Sequence, residues 1–259
     1  MQERYHFYTP EPLSGRLPDD EARHAVRVLR LGEGDELLLL DGNGHLHQAV
    51  ITAATNHHCL YRITATTPME PEWHGSIHIA VAPTKNLDRM EWLTEKATEI
   101  GVDRITPLDC DRSERRQLKT ERLERIAIAA MKQSHKGWLP RIDAMTPFDT
   151  LVSQDTLPAQ RFIAHCYTMA DIDGNTGTPN TPTIPTPPPS AKPFLHDVLQ
   201  RRQPALVLIG PEGDFSISEV RRAHAAGFTS ISLGTSRLRT ETAALAAVHM
   251  MRIANRGES

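Results

Sequence analysis

Leu206-Val-Leu-Ile-Gly-Pro-Glu-Gly-Asp-Phe-Ser216 leads into Ile231-Ser-Leu-Gly-Thr-Ser-Arg-Leu-Arg-Thr-Glu-Thr242, and an Ala-rich stretch follows. Both halves read alike: an aliphatic or β-branched run, a Gly-bearing loop, then a helix start. Parallel strands that end in such loops present backbone N–H groups to a ligand at their C-terminal ends. The two loops are close in sequence, so they are expected to be two walls of one pocket. That pocket is not a phosphate loop, because Gly210 to Gly213 lacks the G-x-x-x-x-G-K-[ST] spacing and its lysine. Gly32-Glu-Gly34 and Gly42-Asn-Gly44 lack the third glycine of a dinucleotide fingerprint. Neither a dinucleotide nor a nucleoside triphosphate is expected.

Working outward, strand and helix patterns alternate from residue 75 to the C-terminus. Ser76 to Ala82 reads as a strand. Leu87, Met90, Leu93, Ala97 and Ile100 form one helical stripe, and Gly101 is its left-handed stop. A strand from Arg104 to Leu108 follows. A second stripe of Leu123, Ile126, Ala127, Ala130, Met131 and Ser134 puts Arg122, Arg125 and Lys132 off the buried side. Phe148 to Val152, Arg161 to His165, Ala205 to Ile209, Val220 to Ala226, Thr229 to Leu233 and Glu241 to Ile253 continue the alternation. An α/β domain with a parallel sheet under helices is expected over residues 75–259. Ser216-Ile-Ser-Glu219 fits a capping box with Gly227 ending its helix, and Thr240 is expected to cap the last helix.

Residues 1–72 read as a small β-rich module. Arg4 to Thr9, Glu36 to Leu40, His47 to Ala54 and Cys59 to Thr66 are strand-like, and Asp41-Gly-Asn-Gly44 is a hairpin turn. Asp19 to Leu29 is a short helix. Residues 168–193 stand apart, with seven prolines and many threonines. This composition buries too little surface to offset its ordering entropy, so a mobile insertion is expected, and excising residues 170–190 is expected to leave the fold intact.

Composition narrows the function classes. Three widely spaced cysteines without a C-x-x-C pair fit a reducing compartment. No apolar signal core and no 18-residue apolar run occur, so a soluble cytoplasmic protein without a membrane partner is expected. The net charge is −3, yet residues 112–136 carry eight Lys or Arg against three Glu, an excess of +5. The basic footprint of a nucleic-acid binder can be local in this way. His45-x-His47 and His57-His58-Cys59 lack zinc-site spacing, so no metal is expected.

Ile209-Gly-Pro-Glu-Gly213 with Phe215-Ser, then Leu233-Gly and Leu238-Arg-Thr-Glu-Thr-Ala243, resembles the ribosomal RNA small subunit methyltransferase E family, of the SPOUT class of RNA methyltransferases. His24-Ala-Val-Arg-Val-Leu-Arg-Leu31 and Lys85-x-x-Asp-Arg-Met-Glu-Trp92 extend the resemblance over nearly the whole chain outside residues 168–193. It implies an N-terminal PUA-like RNA-binding β-barrel and a C-terminal parallel-sheet domain folded through a trefoil knot that forms the cofactor pocket. It also implies S-adenosylmethionine as cofactor, N3 of a uridine in 16S rRNA or the small ribosomal subunit as acceptor, and a homodimer. Asp214 departs from the second glycine that the resemblance implies there.

Methyl transfer from a sulfonium to a ring nitrogen is a single displacement that needs positioning and charge placement, with neither metal nor covalent intermediate. The expected cofactor pocket is Ile209, Gly210, Pro211, Glu212, Gly213, Leu233, Gly234, Leu238, Arg239 and Thr240. A uridine imide must lose a proton, so Arg239 is the first candidate to hold negative charge, with Glu241 and then Glu212 for proton handling. Glu241 is equally explained as an acid in the first turn of a helix. Arg27, Arg30, Lys85, Arg89, Arg112, Arg115, Arg116 and Lys119 are candidates for RNA contact. Two alternatives stay open: a non-catalytic RNA-binding assembly factor, and a knotted methyltransferase acting on another RNA position.

Overall fold

The computed structural model describes residues 5–55, 57–173 and 192–256. They form two units, residues 1–72 with 125–139 and residues 73–124 with 140–259. In the first unit, β1 (His6–Tyr8), β2 (Glu36–Leu40), β3 (His45–Ala54) and β4 (Cys59–Pro68) form a four-stranded sheet in sequence order. The first pair is parallel and the others antiparallel. Helix α1 (Asp19–Arg23) continues into a π-helical turn, His24–Val28, and packs Ala22 and Ala25 against Phe7, Leu37, Leu39 and Ile51.

The hairpin at Asp41 forms because that carboxylate accepts the N–H groups of Asn43 and His45, while Gly42 and Gly44 take positive φ. Gly44 is required on a second count: a Cβ there would lie 2.3 Å from the Trp138 ring. Lys132 departs from expectation. Its ammonium pairs with the carboxylate of Glu21, a residue only 5% exposed, so its long stem runs inward. A stripe of apolar positions says nothing about where a flexible four-carbon stem ends.

The second unit contains β5 (Ile77–Val81), α2 (Leu87–Ile100), β6 (Arg104–Asp109), the start of α3 (Thr120–Gln133), β7 (Arg141–Ile142), β8 (Thr146–Pro147) and α4 (Phe148–Val152). Then come β9 (Gln160–Ala164), α5 (Met169–Asp173), α6 (Leu195–Val198), β10 (Ala205–Ile209), α7 (Ile217–Ala225), β11 (Thr229–Ile231) and α8 (Thr240–Ala254). Their strands make a seven-stranded sheet in the order β11-β9-β10-β5-β6-β7, with β8 also on β6, and every pair is parallel.

Strands β5 and β10 are buried at every residue; β10 accordingly reads as a continuous apolar run, and β5 as one interrupted only by His78. Alternate side chains then serve two cores. Ile79, Val81, Val207 and Ile209 pack with Met90 and Leu93 of α2 and with Ala244, Ala247 and Val248 of α8. Ala80, Leu206 and Leu208 face Leu151 of α4 and Val220 and Ala223 of α7. The small residues of α8 let it pack on both α2 and β5.

The connection from β5 leads to β6 on one side, while β9 and β10 lie on the other, so the strand order reverses at β5 and β10. Ligand crevices of open parallel sheets lie beside such a reversal, outside the carboxyl ends of the strands. Beyond α5 and before residue 192 lies most of the Pro/Thr-rich insertion. The expectation of mobility there falls outside the described residues for 174–191. Its first residues are packed, contrary to expectation: Ile172 is 3% exposed, and its carbonyl accepts the Arg221 guanidinium. An excision must therefore start after Asp173. Among the described residues, no helix is long and apolar enough to cross a membrane, and no group of three or more His, Cys, Asp or Glu is placed to hold a metal ion.

Candidate active site

A cleft of about 990 Å³ opens at the C-terminal ends of β9, β10 and β11. Ala164, Ile209 and Ile231 form its strand-end floor, and residues 210–214 and 232–240 its walls. Its size falls within the range of small-molecule and cofactor sites. All ten residues named above for the cofactor line it. Ile209, Leu233 and Leu238 offer apolar surface for a flat ring, and the glycine loops expose backbone donors and acceptors. These residues fit an adenosyl group.

Each loop is held from several sides. A Cβ on Gly210 would lie 3.0 Å from the Phe215 ring and backbone nitrogen, so a side chain there would push the first wall apart by a few tenths of an ångström. The Thr240 hydroxyl donates to the Gly210 carbonyl (3.2 Å) and ties one wall to the other. That replaces the expected capping role, because Thr240 lies inside α8, and Arg239 is the N-cap without a side-chain cap bond. Arg112 donates to the carbonyl of Gly213 (3.0 Å) and to the Tyr167 hydroxyl (2.7 Å), which in turn donates to the Phe215 carbonyl (2.9 Å).

Below the loop the expected capping box is present, with Ser216 and Glu219 satisfying each other's backbone N–H groups. The fully buried Glu219 carboxylate also accepts the N–H of Asp111 (2.9 Å), fixing the chain after β6 to the start of α7. Glu212 accepts the N–H of Lys85 (3.0 Å), and Arg115 donates to the Thr84 and Lys85 carbonyls. The turn before α2 is thereby secured to the cleft wall.

Asp214 adopts φ +63°, a conformation that costs an L-residue about 1–2 kcal/mol. Its carboxylate offsets this by accepting the N–H groups of Cys166 (2.8 Å) and Phe215 (2.8 Å), so the side chain joins two loops where glycine could not. Asp214→Ala is expected to lose about 2–4 kcal/mol, because strain stays and both charge-assisted bonds go. Asp214→Gly should lose about 1 kcal/mol less, because it also relieves the strain. Thermal or urea denaturation of the two variants checks the order, and equal losses would show that the φ strain is not what separates them.

Arg239 lines the cleft and is exposed. Glu241 does not line it: 7% exposed, it holds one carboxylate oxygen 3.6 Å from Arg89, while the other is buried without a hydrogen bond. Arg89 lines the cleft from α2. Lys85 pairs with Glu114 (3.0 Å) and Arg116 with Asp109 (2.8 Å), both near the surface. Arg112, Arg115 and Arg116 all make intramolecular hydrogen bonds. Lys119 is exposed, as are Arg27 and Arg30 in the first unit.

Sequence reasoning did not single out His165, Cys166, Lys192 or Arg237, which also line the cleft. His165 carried a usable signal, since it follows β9 where sheets of this kind put ligand groups. Lys192 carried none. Burial lowers the His165 pKa to about 3, helped by the charges of Lys192 and His224. Burial also lowers Lys192, and it raises the Cys166 thiol with help from the Asp214 charge.

Comparison with known proteins places this geometry. Residues 71–252 match the model of an RNA methyltransferase domain, and residues 17–64 match that of an RNA methyltransferase PUA domain. A ribosomal RNA small subunit methyltransferase E from Bacillus subtilis is 26% identical over 238 residues, 90% of this chain and 87% of the relative. Among solved structures, a protein described as a probable rRNA-methyltransferase from Porphyromonas gingivalis is 41% identical with a TM-score of 0.83, covering 97% of this chain and 98% of that one. A ribosomal RNA small subunit methyltransferase E from Neisseria gonorrhoeae, bound to S-adenosyl methionine, is 27% identical with a TM-score of 0.74 and the same coverage. With its sheet, its cleft and both domain models in agreement, the chain belongs to the RNA methyltransferases of the ribosomal RNA small subunit methyltransferase E family.

Proposed function

We propose that this chain binds S-adenosylmethionine in the cleft at the ends of β9, β10 and β11 and methylates N3 of a uridine in 16S rRNA. The observation that carries the reading is the convergence of both glycine loops, apolar side chains and cations on one cleft, in a chain like a relative solved with that cofactor. The cofactor supplies an electrophilic methyl group on a sulfonium. Ile209, Leu233 and Leu238 would pack on the adenine, and the loop backbones would hold the ring and the ribose. Arg239 meets the negative charge that develops on the uridine carbonyl oxygens as the imide proton leaves. Glu212 and Glu241 act mainly on position, Glu212 through Lys85 and Glu241 through Arg89.

Residues 1–72 act as a PUA-like RNA-gripping barrel and residues 75–259 as the catalytic domain. Arg27 and Arg30 on the first, and Lys85, Arg89, Arg112, Arg115, Arg116 and Lys119 on the second, contact phosphates. The knot implied by the family is supported by the chain at Pro193–Leu195, which pairs with Ser232 through two backbone hydrogen bonds before returning to β10. The enzyme works as a cytoplasmic homodimer.

Calorimetry with S-adenosylmethionine and S-adenosylhomocysteine tests the cofactor, and no binding would leave only the non-catalytic assembly factor. Mass spectrometry of 16S rRNA from a deletion strain tests the acceptor. A missing methyl anywhere but a uridine N3 removes that assignment.

A further inference from the structure

Four side chains of the second unit make a continuous hydrogen-bonded path from the cleft to α7. The Lys192 ammonium lines the cleft and meets both the carbonyl and the Nδ1 of His165, the latter at 3.3 Å. His165 Nε2 lies 2.6 Å from the Ser230 hydroxyl, and the same hydroxyl lies 2.7 Å from His224 Nε2. His165 and Ser230 are buried at 7% and 6% exposure, whereas His224 is half-buried.

The chemistry of the groups fixes the direction of this path. A charged lysine has donors and no acceptor, so it donates to His165 Nδ1, which must then be unprotonated. The neutral ring therefore carries its proton on Nε2 and donates to Ser230. With one hydroxyl proton left, Ser230 donates to His224 Nε2. Every link points away from the cleft, which is the arrangement along which a proton can move outward.

We propose that Lys192, His165, Ser230 and His224 form a proton relay that removes from the cleft the proton an N–H acceptor loses on methylation. This rests on the function proposed above. Replacing the N–H bond of the base by an N–C bond releases one proton, and the electron pair of the broken bond stays on nitrogen to form the new one. Lys192 passes a proton to His165 Nδ1, His165 Nε2 passes one to Ser230, and Ser230 passes its own to His224 Nε2. Lys192 is left as the neutral amine that takes up the proton of the base, and His224 becomes an imidazolium that releases its proton to water. One proton enters from the base and one leaves to water; His165 ends protonated on Nδ1, and its ring returns to the Nε2 tautomer before the next turnover.

The surroundings suit this role. Burial already disfavours the charged form of Lys192, and Cys166 and the Asp214 carboxylate are the titratable groups that face it. Arg237, from the loop after β11, acts on the neighbouring Cys166 thiol. His165 is faced by Lys192 and His224, and its ring lies 6.0 Å from that of Tyr167. Among the described residues, no carboxylate hydrogen-bonds to His165 to trap the proton halfway.

The test compares wild type, Ser230→Ala, Ser230→Thr and His224→Gln in single-turnover methylation of the small subunit RNA across neutral to alkaline pH. Ser230→Ala and His224→Gln are each expected to slow methyl transfer about 10- to 100-fold near neutral pH, the scale of general acid–base catalysis. The deficit should shrink as pH rises and hydroxide takes the proton, cofactor affinity should not move, and Ser230→Thr should restore the rate. A wild-type enzyme that methylates beside a Ser230→Ala variant with the same pH profile overturns the relay alone. So does a Ser230→Thr variant as slow as Ser230→Ala, which would mean a packing role. A wild type that binds cofactor but transfers no methyl to RNA overturns the function reading and the relay together.

Discussion

Arg239→Ala is expected to lower the single-turnover methylation rate by about 10²- to 10³-fold, the usual loss when one donor to a developing oxyanion is removed. Cofactor affinity should stay within about threefold, because apolar packing and loop backbone hold the adenosyl group and do not depend on that side chain. The position permits a clean experiment. Arg239 is the N-cap of α8 but makes no side-chain cap bond, and it is exposed, so its truncation removes no structural contact of the helix start. A surface change of this kind is expected to shift stability by no more than about 0.5 kcal/mol. Arg239→Lys separates charge from shape: it keeps the cation but loses the planar fork, and an intermediate rate is expected. A wild-type rate in Arg239→Ala would assign charge stabilisation to another cleft cation, with Arg89, Lys192 and Arg237 the remaining candidates.

How much of this site was legible follows from what kind of interaction holds each part. Strand β10 was legible because it is buried on both faces, which leaves an unbroken aliphatic run in the sequence, and β5 because its apolar residues are interrupted only by His78. The two loops were legible because glycine positions record backbone geometry, as Gly210 does against Phe215. Asp214 could be flagged as a departure, but not interpreted. Its two partners, the N–H groups of Cys166 and Phe215, include one reached only through the fold.

The same limit applied to the basic segment. Arg112 and Arg115 read as free cations for phosphate, yet both spend donors on backbone carbonyls that hold the cleft wall. Charge is visible in a sequence, and the partner that engages it is not. Lys192 is the extreme case, since it follows a Pro/Thr-rich segment and comes to the cleft only because the chain at Pro193 returns to pair with Ser232. A local pattern cannot report a contact made across that distance in sequence. The Glu21–Lys132 pair in the first unit was illegible for the same reason.

Acidification should destabilise the second unit by about 4 kcal/mol between about pH 8 and pH 5, and two buried histidines carry most of it. His78 is 5% exposed, and burial, then the Arg104 charge, lowers its pKa to about 4. His165, 7% exposed, is lowered to about 3. The sign follows from which state binds the proton. The unfolded histidines take up protons as pH falls through about 6.5, whereas the folded ones stay neutral until far lower, so acid draws the equilibrium to the unfolded chain. Each contributes about 2 kcal/mol by about pH 5, and the loss continues until the folded pKa is passed. Asp103 acts in the opposite sense: burial raises its pKa, so near the carboxylate range the folded state binds a proton more readily and part of the loss is regained. His78→Gln keeps a partner for the Thr106 hydroxyl, 2.7 Å away in the wild type, and removes one titration. Urea unfolding across this pH range should therefore show about half the wild-type acid sensitivity in that variant. A variant whose stability falls as steeply as that of the wild type would place the acid-sensitive group elsewhere in the unit.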